Sequence, residues 1–193
     1  MARTRLFDEQ QALDRAMALF WRQGYEATSI QDLVEAVGIN RASMYATFGD
    51  KRRFFITVLD HYLTRVNGER LATLARPGSA LAAITAFFEA ITAASRGAER
   101  QLGCLITNTV TELAPSDPEI AAKLRASLDR VEDAFAAAIR RGQESNEIAA
   151  DQDPRAVARF LVSTAQGVRV LARSGATPAS LREIVTVALR ALR

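Results

Sequence analysis

Residues 28–55 read TSIQDLVEAVGINRASMYATFGDKRRFF, and this stretch decides the architecture. Ser29 followed by Asp32 has the form of a capping box, in which each side chain accepts from the other residue's backbone N–H. It opens a helix with Ile30, Leu33, Val34 and Val37 inward. Gly38 supplies a left-handed stop, and Asn40 caps the next helix two residues later. Gly49 and Asp50 repeat the stop and start ahead of a longer helix that begins Lys51-Arg52-Arg53. Two short helices about a tight Gly-Ile-Asn turn, followed by a basic helix start, form a unit able to place a helix in the major groove of DNA.

The second short helix has the properties such a role needs. Met44 and Phe48, at i and i+4, face inward, which leaves Arg41, Ala42, Ser43, Tyr45, Ala46 and Thr47 outward. Arg41 is long enough for a bidentate contact to guanine O6 and N7, and Ala42 can touch a thymine methyl. Ser43, Tyr45 and Thr47 carry hydroxyls suited to phosphate oxygens, which fix register without reading sequence. Lys51 stands on the first turn of the following helix, where free backbone N–H groups already favour an anion. Gln31, near the start of the supporting helix, can reach a base edge or a phosphate. Each of these residues also has a plainer reading as solvated polar surface on a small helical bundle, Arg52 and Arg53 most of all.

Outward from this unit the chain is a string of punctuated helices. Asp8 caps a first helix with Leu13, Ala16, Met17 and Phe20 on one stripe, and Gly24 ends it. The helix after Asp50 carries Phe55, Val58, Leu59, Tyr62, Leu63 and Val66. Arg76-Pro77-Gly78-Ser79 is the clearest break, and Ser79 caps a helix expected to run to Arg96. Another is expected from Glu99 to Leu113. Asp117-Pro118, Asp153-Pro154 and Thr177-Pro178 each set an N-cap before an N1 proline. The Asp117 helix bears a long apolar stripe through Ile139, and Gly142 to Gln152 reads as a polar connector. Nothing alternates with period two. The expectation is all-α with nine helices: residues 1–50 a DNA-binding domain, 51–75 a connecting helix, and 76–193 a second helical domain.

Bulk composition adds little to the case for DNA. The formal net charge is +3 over 193 residues, and residues 1–75 hold ten Lys/Arg against nine Asp/Glu. Only the placement of charges can mark a nucleic-acid surface in such a chain. One cysteine, Cys104, excludes an internal disulfide and fits a reducing compartment. No apolar run suits a signal peptide or a membrane span, so the cytoplasm is expected. With one His, one Cys and no nucleophile elbow, phosphate loop, dinucleotide fingerprint or zinc-protease motif, the sequence offers no catalytic, cofactor or metal site. A helical protein-interaction module is the competing class.

The residues F20-W-R-Q-G-Y25-E-A-T-S29-I and V37-G-I-N-R-A-S-M-Y45-A-T-F48-G-D-K51 closely resemble the N-terminal domain of the TetR family of transcriptional regulators. The resemblance covers about residues 8–60; further on, G103-C-L-I-T-N-T-V-T-E-L-A resembles a segment seen in many members. It implies a homodimeric repressor on a palindromic double-stranded operator, released when a small molecule binds the C-terminal domain. Position by position, it makes Gln31, Arg41, Ala42, Ser43 and Tyr45 base-proximal. Ser43, Ala46, Thr47 and Lys51 become backbone-proximal. Thr47 departs from the histidine frequent at its place, and Ala46 lacks the bulk some members carry there.

For the effector, Phe87, Phe88, Ile91, Leu105 and Phe135 are expected as pocket walls and Asn108, Thr109, Thr111 and Gln166 as polar orienting groups. Such walls suit a small, mostly hydrophobic ligand. Cys104, read as lying on an apolar helix face, is either a small buried hydrophobe or a thiol that senses oxidants or electrophiles. No Lys or His lies within one turn of it, and Arg100 is one turn away. The two terminal helices are apolar along Phe160, Leu161, Thr164 and Val168 and along Leu181, Ile184, Val185 and Ala188. They either finish the protomer's core or pair with a second copy as a four-helix bundle, the arrangement expected here.

Overall fold

A computed structural model describes residues 7–94 and 102–193. The expected helix end at Arg96, the expected start at Glu99 and Arg100 lie outside the described residues. The elements are α1 (Glu9–Gln23), α2 (Ile30–Val37), α3 (Arg41–Phe48), α4 (Lys51–Tyr62), α5 (Gly68–Leu74), α6 (Ala80–Ala94), α7 (Leu105–Glu112), α8 (Pro118–Glu144), α9 (Pro154–Arg173) and α10 (Pro178–Arg190). A π-helical turn, Leu63–Asn67, fuses α4 and α5 into one rod, so the described residues form nine helical rods and no strand.

The capping chemistry places these boundaries. Asp8 accepts from the Gln10 and Gln11 amides at 2.9 and 3.2 Å. Ser29 and Asp32 close the capping box at 2.8 and 3.1 Å. Asn40 takes the Ser43 amide and Asp50 the Arg53 amide, both at 2.8 Å. Gly38 sits at φ 77°, ψ 29°, a left-handed conformation that costs a side-chain-bearing residue but not glycine, which is why α2 turns so sharply into α3. The three prolines at 118, 154 and 178 each occupy a first helical turn, where no amide is needed.

Two apolar clusters organise the chain. The first gathers α1 to α4 around Phe20, Phe48, Phe54 and Phe55, with Phe20 and Phe55 edge to face at 4.9 Å and Phe48 and Phe54 stacked at 4.1 Å. Cys104, Leu105, Ile106 and Leu113 of the α7 region and Ile120 and Leu124 of α8 join this cluster. The second holds α6, the rest of α8, α9 and α10. The N-terminal core is thus completed by residues from beyond position 100, so its burial does not follow the sequence boundary at residues 75–76.

Three sequence expectations change here, and the chain's one histidine is buried with a partner. Cys104 does not lie on a helix face; it is the extended N-cap of α7, at φ −117°, ψ 123°. Helix α8 runs on through Glu144, past the start expected for the connector. His61 is buried, its Nε2 2.7 Å from the Asp14 carboxylate, which Arg65 also contacts at 2.7 Å. The last change concerns the terminal hairpin: Leu161, Val168, Leu181, Val185 and Ala188 are buried in the protomer's own second cluster. They complete a core and are not available to a partner, because their stripe is the one that α6 and α8 cover.

Candidate functional site

Helix α3 is held from below and open above. Met44 and Phe48 are buried in the first core, whereas Arg41, Ala42, Tyr45 and Ala46 are exposed and Ser43 and Thr47 half-buried. Tyr45 is 44% exposed, a large aromatic ring left in solvent on a helix of only eight residues. Gln31 is exposed on α2, its amide nitrogen 2.7 Å from Glu35 Oε1. All eight residues expected at a DNA surface therefore lie on or beside one turn of the fold, and none of them is fully buried.

Lys51 does more than mark a helix start. Its Nζ donates to the Glu26 carbonyl at 3.4 Å and stands 4.3 Å from the centre of the Tyr25 ring, a cation–π arrangement. Burial pushes the Tyr25 phenol above its ordinary range, with Glu26 and Asp50 adding to that rise. Lys51 thereby ties the start of α4 to the loop between α1 and α2. The same loop is gripped from the other side by Glu112, at the end of α7. Its carboxylate accepts the Tyr25 amide at 3.0 Å and the Glu26 amide at 2.8 Å. Gly24 makes room for this grip: at φ 85° a side chain is strained, and a Cβ there would lie 3.0 Å from the Glu112 carboxylate oxygens.

Of the basic cluster that opens α4, Arg52 is committed elsewhere. It binds both Asp117 oxygens, at 2.7 and 2.9 Å, and Glu119 at 2.6 Å. Hydrogen bonds from Arg52 hold the Asp117 carboxyl down at about 2 despite some desolvation. Asp117 is also the N-cap of α8. Arg53 remains exposed.

A cavity of about 340 Å³ lies between the start of α7 and the C-terminal half of α9, lined among others by Cys104, Thr107, Asn108, Thr111, Arg169 and Arg173. Of the residues expected to contact an effector, Cys104, Asn108 and Thr111 line it. Gln166 adjoins it, accepting from the Thr107 hydroxyl at 2.5 Å. The expected walls fall elsewhere. Phe87, Phe88, Ile91 and Phe135 are packed together in the second core, with Phe87 and Phe135 edge to face at 4.8 Å, and Leu105 belongs to the first. Thr109 turns its hydroxyl to the Leu105 carbonyl of its own helix.

Two residues the sequence reading passed over dominate this cavity. Arg169, 8% exposed, places Nη1 2.9 Å from Cys104 Sγ. Arg173 donates to Asn108 Oδ1 at 2.6 Å. Burial raises the Cys104 thiol, but Arg169 and the Thr107 backbone amide outweigh it and leave the group below its ordinary value. Tyr62, 3.9 Å from the sulfur, is pushed up to about 12 by burial. A signal existed in the sequence: Arg169 falls four residues after Ala165 on the apolar stripe of α9, a position where a charge needs a reason.

On the terminal hairpin, the exposed large apolar residues are Phe160 (46%), Val170, Leu171 and Val187 (63%). Of the expected dimerisation residues, Phe160 is therefore exposed, and Thr164 and Ile184 are half-buried. Among the described residues there is no metal-binding group of His, Cys, Asp and Glu, and no helix is long and apolar enough to cross a membrane.

The comparisons with known proteins bear on this arrangement directly. Residues 12–58 match the family described as "Bacterial regulatory proteins, tetR family", and residues 80–188 match "Tetracyclin repressor-like, C-terminal domain". The chain is 35% identical over 193 residues to the uncharacterized HTH-type transcriptional regulator YezE of Bacillus subtilis (strain 168), covering the whole of both. It is 35% identical over 189 residues to the HTH-type transcriptional repressor ComR of Escherichia coli (strain K12), covering 97% of this chain and 90% of that one. Among solved structures, a cysteine variant of the TetR family regulator CifR, complexed with 26-bp double-strand operator DNA, superposes with a TM-score of 0.88 at 32% identity. That match covers 99% of this chain and 100% of the other. With both segments matched and the helix-turn-helix intact, the chain belongs to the TetR family of transcriptional regulators: it is a DNA-binding regulator, not an enzyme.

Proposed function

We propose that this regulator is a cytoplasmic repressor that binds a palindromic operator as a homodimer and lets go when a small molecule enters the cavity beside Cys104. The observation that carries this reading is the outward face of α3, where Arg41 and Tyr45 are exposed while Met44 and Phe48 anchor the helix. One such helix reaches too few base pairs to be selective, so two must be held at a fixed spacing. Phe160 and Val187, exposed on α9 and α10, supply an apolar face for that pairing. The operator complex of CifR and the repressor activity named for ComR support the same reading. A helical interaction module would not need the exposed recognition face.

In this reading Arg41, Tyr45, Ala42 and Gln31 face bases, Ala46, Thr47 and Lys51 face the backbone, and Ser43 serves either role. A gel shift against the chain's own upstream region, or against DNA selected from a random pool, tests it. Retention of wild-type affinity and sequence preference by an Arg41→Ala, Tyr45→Ala double variant defeats the assignment.

A second reading, release through modification of Cys104, is favoured by the 2.9 Å approach of Arg169 to the sulfur. A guanidinium at that distance stabilises thiolate, the nucleophilic form. Cys104→Ser then abolishes release by an electrophile, whereas unchanged release reduces the thiol to packing.

A further inference from the structure

We propose that the cavity beside Cys104 is a receptor for a small organic carboxylate, whose head group is held between Arg169 and Arg173. The inference rests on taking this cavity as the effector site, and it names the chemistry of the ligand. At about 340 Å³ the cavity lies at the small end of ligand pockets. Its lining holds two guanidiniums and neither Asp nor Glu among the described residues.

Buried guanidiniums are ordinarily matched by carboxylates, because neutral partners do not return what desolvation costs. Arg169 is buried with the Cys104 sulfur at 2.9 Å and the Tyr62 phenol beside it. Both are weak acids. Arg70 faces the same phenol, and its Nη1 is buried with no hydrogen-bond partner among the described residues. Even with Cys104 ionised, two lining guanidiniums against one thiolate leave the cavity positive. Arg173 stands exposed at the mouth, with its Nη1 aimed by Asn108 Oδ1. A guanidinium has five N–H donors and Asn108 occupies one, so the fork retains the geometry that a planar carboxylate fits with two oxygens. Val170 offers an apolar wall to the rest of the ligand.

This changes the expected ligand. A mostly hydrophobic effector would leave the two arginines of the lining without a counter-charge, whereas a carboxylate with a short hydrocarbon body uses both features.

Cys104, the chain's one cysteine, reports on the site in the full-length protein. Iodoacetate and iodoacetamide alkylate it alike: the thiolate sulfur bonds to the CH2 carbon, and the C–I bond breaks with iodide taking its electron pair. An ordinary thiolate reacts faster with the neutral amide, since it repels the carboxylate. Here iodoacetate is expected to be faster, with saturating kinetics and protection by unreactive propionate. Arg173→Gln should lower the iodoacetate rate by about tenfold or more, the value of a charge-assisted hydrogen bond, and leave iodoacetamide unchanged. Arg125→Gln, an exposed charge on α8, should alter neither.

Faster reaction with iodoacetamide in the wild type, or an iodoacetate preference that survives Arg173→Gln, overturns the proposal. So does failure of both reagents to label the folded protein, which would show the cavity closed. The effector reading is measured separately by adding propionate to the operator complex: protection of Cys104 without release of DNA refutes that reading and leaves the carboxylate site standing.

Discussion

Cys104 Sγ and Arg169 Nη1 lie 2.9 Å apart although 65 residues separate them in the chain. The contact joins the N-cap of α7 to the buried side of α9 and makes the sulfur a charge partner rather than packing alone. Burial raises the thiol; the guanidinium and the Thr107 amide lower it further than burial lifts it. The thiolate therefore persists to lower pH than that of a free cysteine. Alkylation by iodoacetamide followed against pH should show a midpoint below the ordinary 9.0, and Arg169→Gln should shift it upward. Arg169→Lys, which keeps the charge, should retain part of the depression. An Arg169→Gln profile identical to that of the wild type removes Arg169 from the account.

The Glu112 carboxylate couples the far end of α7 to the DNA-binding unit by accepting the Tyr25 and Glu26 amides. Glu112→Gln replaces one acceptor with an NH2 group facing a backbone N–H. Stability should fall by about 1–3 kcal/mol, the cost of leaving a part-buried donor unpaired. Operator affinity should fall with it, because the α1–α2 loop sets the pose of α2 and α3. Chemical denaturation and gel shift read the two effects; a fall in stability with DNA binding intact would confine Glu112 to packing.

Arg52 and Asp117 fix α4 against the start of α8. The unfolded carboxyl titrates near its ordinary 3.8 and the folded one at about 2. A depressed folded value means the pair's contribution is full above about pH 4 and is lost as pH falls toward about 2. Arg52→Gln should therefore lower stability modestly at neutral pH and flatten the acid limb of the stability curve in that window. The pair is partly exposed, so salt should weaken it as well. A wild-type acid limb in the variant counts against the pair.

Lys51 is expected to meet the DNA backbone. Lys51→Ala should weaken binding to all sequences and reduce the slope of log affinity against log salt by about one. Arg41→Ala should instead lose about 1–3 kcal/mol of discrimination at one base pair. Equal losses on specific and random DNA for Arg41→Ala would transfer it to the backbone class.

Phe160→Glu and Val187→Glu place charge on the exposed apolar face of the hairpin while leaving the buried stripe untouched. Light scattering should show a shift from dimer to monomer, with operator affinity falling in parallel. A dimer unchanged by both substitutions would move the interface elsewhere.

Local chemistry was readable from the residues themselves. The Ser29–Asp32 box, Gly38, Asn40 and the Asp-Pro and Thr-Pro starts fix helix ends through contacts two to four residues apart, and Met44 and Phe48 orient α3 through a spacing of four. The helix-turn-helix and its exposed residues follow from such short-range rules. The hairpin shows where they stop. Periodicity marks Leu161, Val168, Leu181 and Val185 as apolar, but it cannot say whether the cover is α6 and α8 or a second chain, since both bury the same stripe. The cavity shows it again: aromatic residues suggested its walls, yet Phe87, Phe88 and Phe135 found one another instead. No Lys or His lies within one turn of Cys104 in the sequence, and the cation that matters arrives from α9. Charge pairing across 65 residues, like the Glu112 grip on a loop 86 residues away, depends on which helices pack together, and only tertiary structure decides that.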